Sequence, residues 1–90
     1  MNTKINKKAI SHRLKIIAGQ VNGISKMIEE DKYCIDILTQ SLAIQNALKE
    51  VNKEILNGHL ATCTIDQIKS GEEKKATEEL VKIFSLNGKF

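Results

Sequence analysis

Between Ile10 and Ile28 the apolar residues Ile10, Leu14, Ile17, Val21, Ile24 and Ile28 alternate at intervals of four and three. That is the seam of a helix packed lengthwise on other helices. The chain has no proline to interrupt it. A first helix is expected over about residues 5–30, with Gly19 and Gly23 inside it. Each glycine costs about 1 kcal/mol relative to alanine in a helix interior, which predicts a close helix approach or a bend there. The polar stretch at 29–32 is a short connection and predicts an antiparallel neighbour.

A second helical pattern spans about 33–63, with Ile37, Ile44, Leu48, Val51 and Ile55 on one seam and Ile35, Leu38 and Leu42 as a second apolar edge. A stripe that wide implies burial against more than one helix. Ser70 and Glu73 have the spacing of a capping box, with Ser70 as N-cap. A third helix is expected over about 72–86, using Ala76, Leu80, Ile83 and Phe84, with Gly88 past its end. The expectation is an all-α, three-helix chain in a single domain, residues 1–90. A chain of 90 residues buries only about two-thirds of the surface its unfolded state exposes, so self-association is the favoured supplement.

No run of about 20 apolar residues is present, and the opening MNTKINKK lacks the apolar stretch of a secretion signal. A soluble, cytoplasmic protein is expected, with Cys34 and Cys63 as free thiols in a reducing compartment. The net charge of +3 hides an asymmetry: residues 1–28 carry six basic side chains and no acidic one, leaving −3 for the remainder. Such a segment suits a polyanion, nucleic acid before membrane, because no aromatic or leucine-rich insertion face accompanies it. A solvated lysine-rich arm is the plainer alternative.

Cys34, His59 and Cys63 carry the chemistry. His59 and Cys63 stand four apart, so a helix continuing past Gly58 puts them on one face. Cys34 lies 25 residues before His59, roughly 37 Å along one helix at ~1.5 Å per residue. One metal ion cannot span that within a chain. An antiparallel pairing with a second copy would place Cys34 of one protomer beside His59 of the partner subunit and Cys63 of the partner subunit, giving two equivalent sites per dimer. Two thiolates and one imidazole suit trigonal Cu(I) better than tetrahedral Zn²⁺. The spacing alone also allows inert cysteines and a histidine at a helix end.

The segment His12-Arg13-Leu14-Lys15-Ile16-Ile17-Ala18-Gly19-Gln20-Val21-Asn22-Gly23-Ile24 resembles the opening helix of the copper-sensing repressor (CsoR) family. Its signature there is a basic-Leu-basic pattern followed by Gly-Gln-Val-x-Gly. Tyr33-Cys34, His59 and Cys63 match the same family's metal ligands in type and spacing, and the likeness covers essentially the whole chain. The resemblance implies an antiparallel four-helix dimer, a disc-like homotetramer and a transcriptional repressor without a helix-turn-helix. It also implies a ligand set: Cys, His, Cys reads as Cu(I), whereas nickel and cobalt sensors replace the last Cys by His. Persulfide sensors of the family lose the His, and formaldehyde sensors keep only the first Cys and the His. Tyr33 and Glu79 match residues that surround the ligand histidine, with Glu78 as the alternative if the third helix is rotated.

DNA contact is expected on Lys8, Arg13 and Lys15, with Lys4 and Lys7 as an arm and Lys49 or Lys53 as extensions. The implied function is a Cu(I)-responsive repressor of copper-efflux or chaperone genes, released from operator double-stranded DNA when the metal binds. The alternatives are a repressor of the same fold that senses persulfide through Cys34 and Cys63, and a metal-binding protein without a DNA role. An enzyme is disfavoured, because there is no Gly-rich phosphate loop and no Ser/His/Asp pattern on which catalysis could be built.

Overall fold

The computed structural model describes residues 5–87, and every regular element among them is helical. Lys4 and Gly88 lie outside the described residues. Helix α1 is Lys7–Glu29 and α2 is Cys34–His59; a π-helical turn, Leu60–Thr64, leads into α3, Ile65–Lys69, and α4 is Glu73–Asn87. The contacts group the chain into two compact units, one of Asn6–Val51 and one continuing from Asn52, with the boundary inside α2. No helix among the described residues is long and apolar enough to cross a membrane.

Helix α1 starts where the Asn6 side chain accepts from the Ala9 amide at 3.0 Å, satisfying one of the first turn's unpaired N–H groups. It stops in a Schellman arrangement. The Lys32 amide donates to the Met27 carbonyl at 3.0 Å and the Asp31 amide to the Ile28 carbonyl at 3.1 Å. Asp31 supplies the left-handed residue this needs, at φ 54°, a conformation Asp and Asn adopt more readily than other non-glycine residues.

In the Asn6–Val51 unit the buried apolar side chains are Ile10, Ile17, Ile44 and Val51. They recur every seven residues, with Ile24 and Ile37 half-buried at the adjoining heptad positions. The alternate seam residues Leu14, Val21, Ile28 and Leu48 are exposed, as are Ile35, Leu38 and Leu42. One helical neighbour covers only a narrow stripe, and a four-three seam is broader than that. The apolar face left over is far larger than scattered exposed leucines account for. Gly19 and Gly23 do not mark a close approach within the chain, because a Cβ at either would meet nothing within 4 Å.

The second helical run extends beyond the expected end near Cys63, but not as one uniform α-helix. The backbone stays right-handed helical through His59 and Ile65 at either side of the π turn. Local composition favours the loosened turn: Gly58, Thr62, Thr64 and Ile65 are weak α-formers. The Thr62 hydroxyl donates to the Gly58 carbonyl at 2.7 Å, the back-bonding by which threonine competes with the helical ladder.

Ser70 is not the N-cap of the last helix. It is the C-cap of α3, and its hydroxyl donates to the Gln67 carbonyl at 3.2 Å. A second Schellman arrangement follows, with Glu72 amide to Gln67 carbonyl at 2.6 Å and Gly71 amide to Ile68 carbonyl at 3.2 Å. The Ser-x-x-Glu spacing misleads here because the glycine between them terminates the preceding helix. Gly71 sits at φ +82°, with open space where a Cβ would go. Gly71→Ala is therefore expected to destabilise the protein through backbone strain alone, by about 1–2 kcal/mol. Urea denaturation checks this through a lower midpoint at unchanged slope.

Helix α3 continues directly from the π turn and packs against α4. Ala76 and Thr64 are buried in this unit, Leu80 is half-buried, and Ile83 and Phe84 on the expected apolar face of α4 are exposed.

Candidate metal centre and nucleic-acid surface

The second unit brings three polar side chains together. His59 is the last residue of α2, Gln67 lies on α3 and Glu79 on α4. His59 Nε2 is 3.3 Å from Glu79 Oε2, with the imidazole 26% and the carboxylate 39% exposed. Gln67 Nε2 donates to both oxygens of the same carboxylate at 3.3 Å. Glu79 is thus the acidic residue against His59, while Glu78 is exposed. The phase of α4 decides this, because neighbouring helix residues point about 100° apart.

Cys63 sits in the π turn and is half-buried, with Thr62 Oγ1 3.8 Å from its Sγ. His59, Cys63 and Gln67 follow at four-residue intervals through the helical run. Cys34 opens α2 in the other unit as an exposed thiol, and Tyr33 before it is 67% exposed. The Tyr33 carbonyl starts α2 by accepting from the Asp36 and Ile37 amides at 3.0 and 3.2 Å. Among the described residues of one chain, no three His, Cys, Asp or Glu side chains gather as a metal site. Sequence reading missed Gln67. Its signal was the four-residue spacing after His59 and Cys63, which extends their helix face by one more turn.

The basic residues Lys7, Lys8, Arg13 and Lys15 lie exposed on α1, and Lys49 and Lys53 are exposed on α2. Lys8 and Lys15, seven apart, share the side of α1 opposite the buried Ile10 and Ile17, whereas Arg13, three residues after Ile10 and four before Ile17, lies beside the apolar face, as 3.6 residues per turn requires. The apolar stripe and the lysine stripe therefore occupy different faces of one helix.

The whole chain has recognisable relatives. The copper-sensing transcriptional repressor CsoR of Bacillus subtilis is 47% identical over 78 residues, covering 87% of this chain and 77% of the relative. The CsoR of Mycobacterium tuberculosis is 39% identical over 75 residues, 83% of this chain, which spans 63% of that longer protein. Among solved structures, the copper-sensing repressor CsoR with Cu(I) from Geobacillus thermodenitrificans is similar with a TM-score of 0.89 and 39% identity. That likeness covers 99% of this chain and 93% of the other. Residues 6–85 match the family model described as metal-sensitive transcriptional repressor. The chain is an all-helical member of the metal-sensitive transcriptional repressor family, a family of regulators and not of enzymes.

Proposed function

We propose that this chain is a cytoplasmic Cu(I)-responsive repressor that binds operator DNA as the apo-protein and leaves it when copper binds. The observation that carries this reading is the setting of His59. A ligating imidazole must give one nitrogen to metal and its other N–H to an acceptor. With Nε2 turned to Glu79 at 3.3 Å, Nδ1 is the nitrogen left for a metal. Cys34, His59 and Cys63 would hold the ion, and two thiolates with one imidazole fit soft, low-coordinate Cu(I). When bound, Cu(I) supplies a soft cationic centre that only deprotonated thiols and a neutral imidazole satisfy.

Residues 1–90 act in this reading as one sensing domain. In this reading Cys34 of one protomer meets His59 of the partner subunit and Cys63 of the partner subunit. The exposed seam residues Leu14, Val21, Ile28 and Leu48 are the surface available for such pairing, in a homodimer and then a homotetramer. Tyr33 and Glu79 surround the histidine. Lys8, Arg13 and Lys15 supply the DNA surface, extended by Lys4, Lys7 and Lys49. Metal and operator favour different conformations of the assembly, so by linkage each weakens the other's binding.

The test is DNA binding to the promoter upstream of the protein's own gene, with and without Cu(I), and with a persulfide in parallel. Release by Cu(I) alone supports the reading; release by persulfide alone moves the function to a cysteine-based sensor, and no salt-dependent DNA binding rejects a repressor. In the same assay Arg13→Ala and Lys15→Ala are expected to weaken operator binding and lower the slope of log K against log salt by about one each. Their Cu(I) affinity should stay as in the wild type. Equal loss of both would point to misfolding.

A further inference from the structure

The His59 and Glu79 contact depends on a third residue that the metal chemistry does not require. We infer that Gln67 is a positioning residue for the copper response, its side-chain amide holding the Glu79 carboxylate against His59. The inference rests on the repressor reading above and extends it to a residue on α3.

Two observations carry it. First, Gln67 Nε2 lies 3.3 Å from both Glu79 oxygens, including the Oε2 that His59 Nε2 touches at 3.3 Å. Glu79 is 39% exposed, and its long side chain has rotamers that lead into water. His59 alone gives it one short contact, and a carboxylate accepts from several donors at once. A second donor bound to both oxygens restricts the freedom to swing out.

Second, the amide's own orientation is costly except for that contact. Gln67 Oε1 is buried and has no hydrogen-bonding partner among the described residues. An unsatisfied buried carbonyl is unfavourable, so an amide with a free choice would turn it toward a donor. Reversing this amide would set Oε1 against the Glu79 carboxylate, acceptor against acceptor. The charge-assisted N–H bond to Glu79 therefore outweighs the stranded oxygen. Gln67 follows Cys63 by four residues in the helical run, and Glu79 lies on α4. The relay from His59 through Glu79 to Gln67 thus ties the ligand histidine to both α3 and α4. A change at the imidazole is passed to two helices instead of being lost in a mobile carboxylate.

Gln67→Leu tests this in the full-length protein, because leucine removes the donor and the stranded acceptor together at similar volume. Thermal stability and operator affinity of the apo-protein should be unchanged or slightly higher, and Cu(I) affinity by competition should stay within about threefold. The ratio of operator Kd with Cu(I) to Kd without it should fall to about one. A crystal structure of the apo variant should have no Glu79 oxygen within hydrogen-bond distance of His59 Nε2. A wild-type ratio in the folded variant overturns the inference. If the wild type itself does not respond to Cu(I), the repressor reading fails. The apo structure of the variant then decides alone: a displaced Glu79 supports the positioning role, and a retained contact overturns it. Should the leucine variant not fold, Gln67→Glu decides instead, since it keeps size and polarity but opposes one carboxylate to another. It should uncouple copper from DNA to the same extent, and wild-type coupling in it overturns the inference.

Discussion

Cys34→Ala and Cys63→Ala proteins are each expected to bind operator DNA as tightly as the wild type and to remain bound when Cu(I) is added. The two cysteines occupy different elements, Cys34 at the first residue of α2 and Cys63 in the π turn. The exposed basic residues of α1 include neither of them. Loss of one thiolate from a three-donor set leaves one thiolate and one imidazole, and soft Cu(I) gains most of its affinity from sulfur. The ratio of operator Kd with and without Cu(I), which for coupled sites is typically about 5–150, should drop to about one in both variants. Fluorescence anisotropy of labelled operator, titrated anaerobically with Cu(I), measures it. Loss of DNA binding in the apo variants would instead identify the cysteines as structural. Cys34 is exposed, so its truncation has little packing to remove; the half-buried Cys63 is the stricter test.

His59→Ala is expected to separate metal occupancy from response. Two thiolates still hold Cu(I) in near-linear coordination, because a soft d¹⁰ ion tolerates two soft ligands. Affinity should therefore fall far less than signalling. The imidazole is what touches Glu79 on α4, at 3.3 Å, and through Glu79 the chain of contacts reaches Gln67 on α3. Removing it breaks the bound ion's connection to Glu79 and so to α4. The variant should bind copper and stay on DNA, with a coupling free energy near zero. Competition for Cu(I) gives the affinity, and operator binding in both metal states gives the coupling. Full release of the variant from DNA would reject this role for His59 and favour a sensor that uses its cysteines alone.

Much of the fold was legible in the residue pattern. The four-three spacing from Ile10 to Ile28 located α1 and the polar stretch at 29–32 its end, whereas the Asn6 cap, which starts the helix at Lys7 and not near residue 5, came from the structure. The long second helical run and the last helix were equally legible. Two boundaries were misread: the second helical run, expected to end near Cys63, continues to Lys69, and at Ser70 a local capping pattern lost to the glycine-based stop of the helix before it. The π turn was not legible either. Weak α-formers cluster at Gly58–Ile65, but propensity alone does not distinguish a break, a bend and a wider turn.

The candidate site divides along the same line. Cys34, His59 and Cys63 could be picked out because thiols and imidazole are scarce in this chain and their types define a metal preference. The resemblance put Glu79 first with Glu78 as the alternative; the contact of Glu79 with His59, and the presence of Gln67 beside it, came only from the tertiary structure. Residues on one helix are related by a fixed rotation that the sequence encodes directly. Residues on two helices are related by the turn between them, here Ser70–Glu72 with Gly71 at φ +82°, and by the packing that buries Ala76 and Thr64. By itself the sequence therefore determined which side chains can bind a soft metal and which helix faces are apolar or basic. The tertiary structure decided which carboxylate meets the imidazole, because that contact depends on the rotation of α4 about its own axis, a quantity fixed by packing and not by any spacing along the chain.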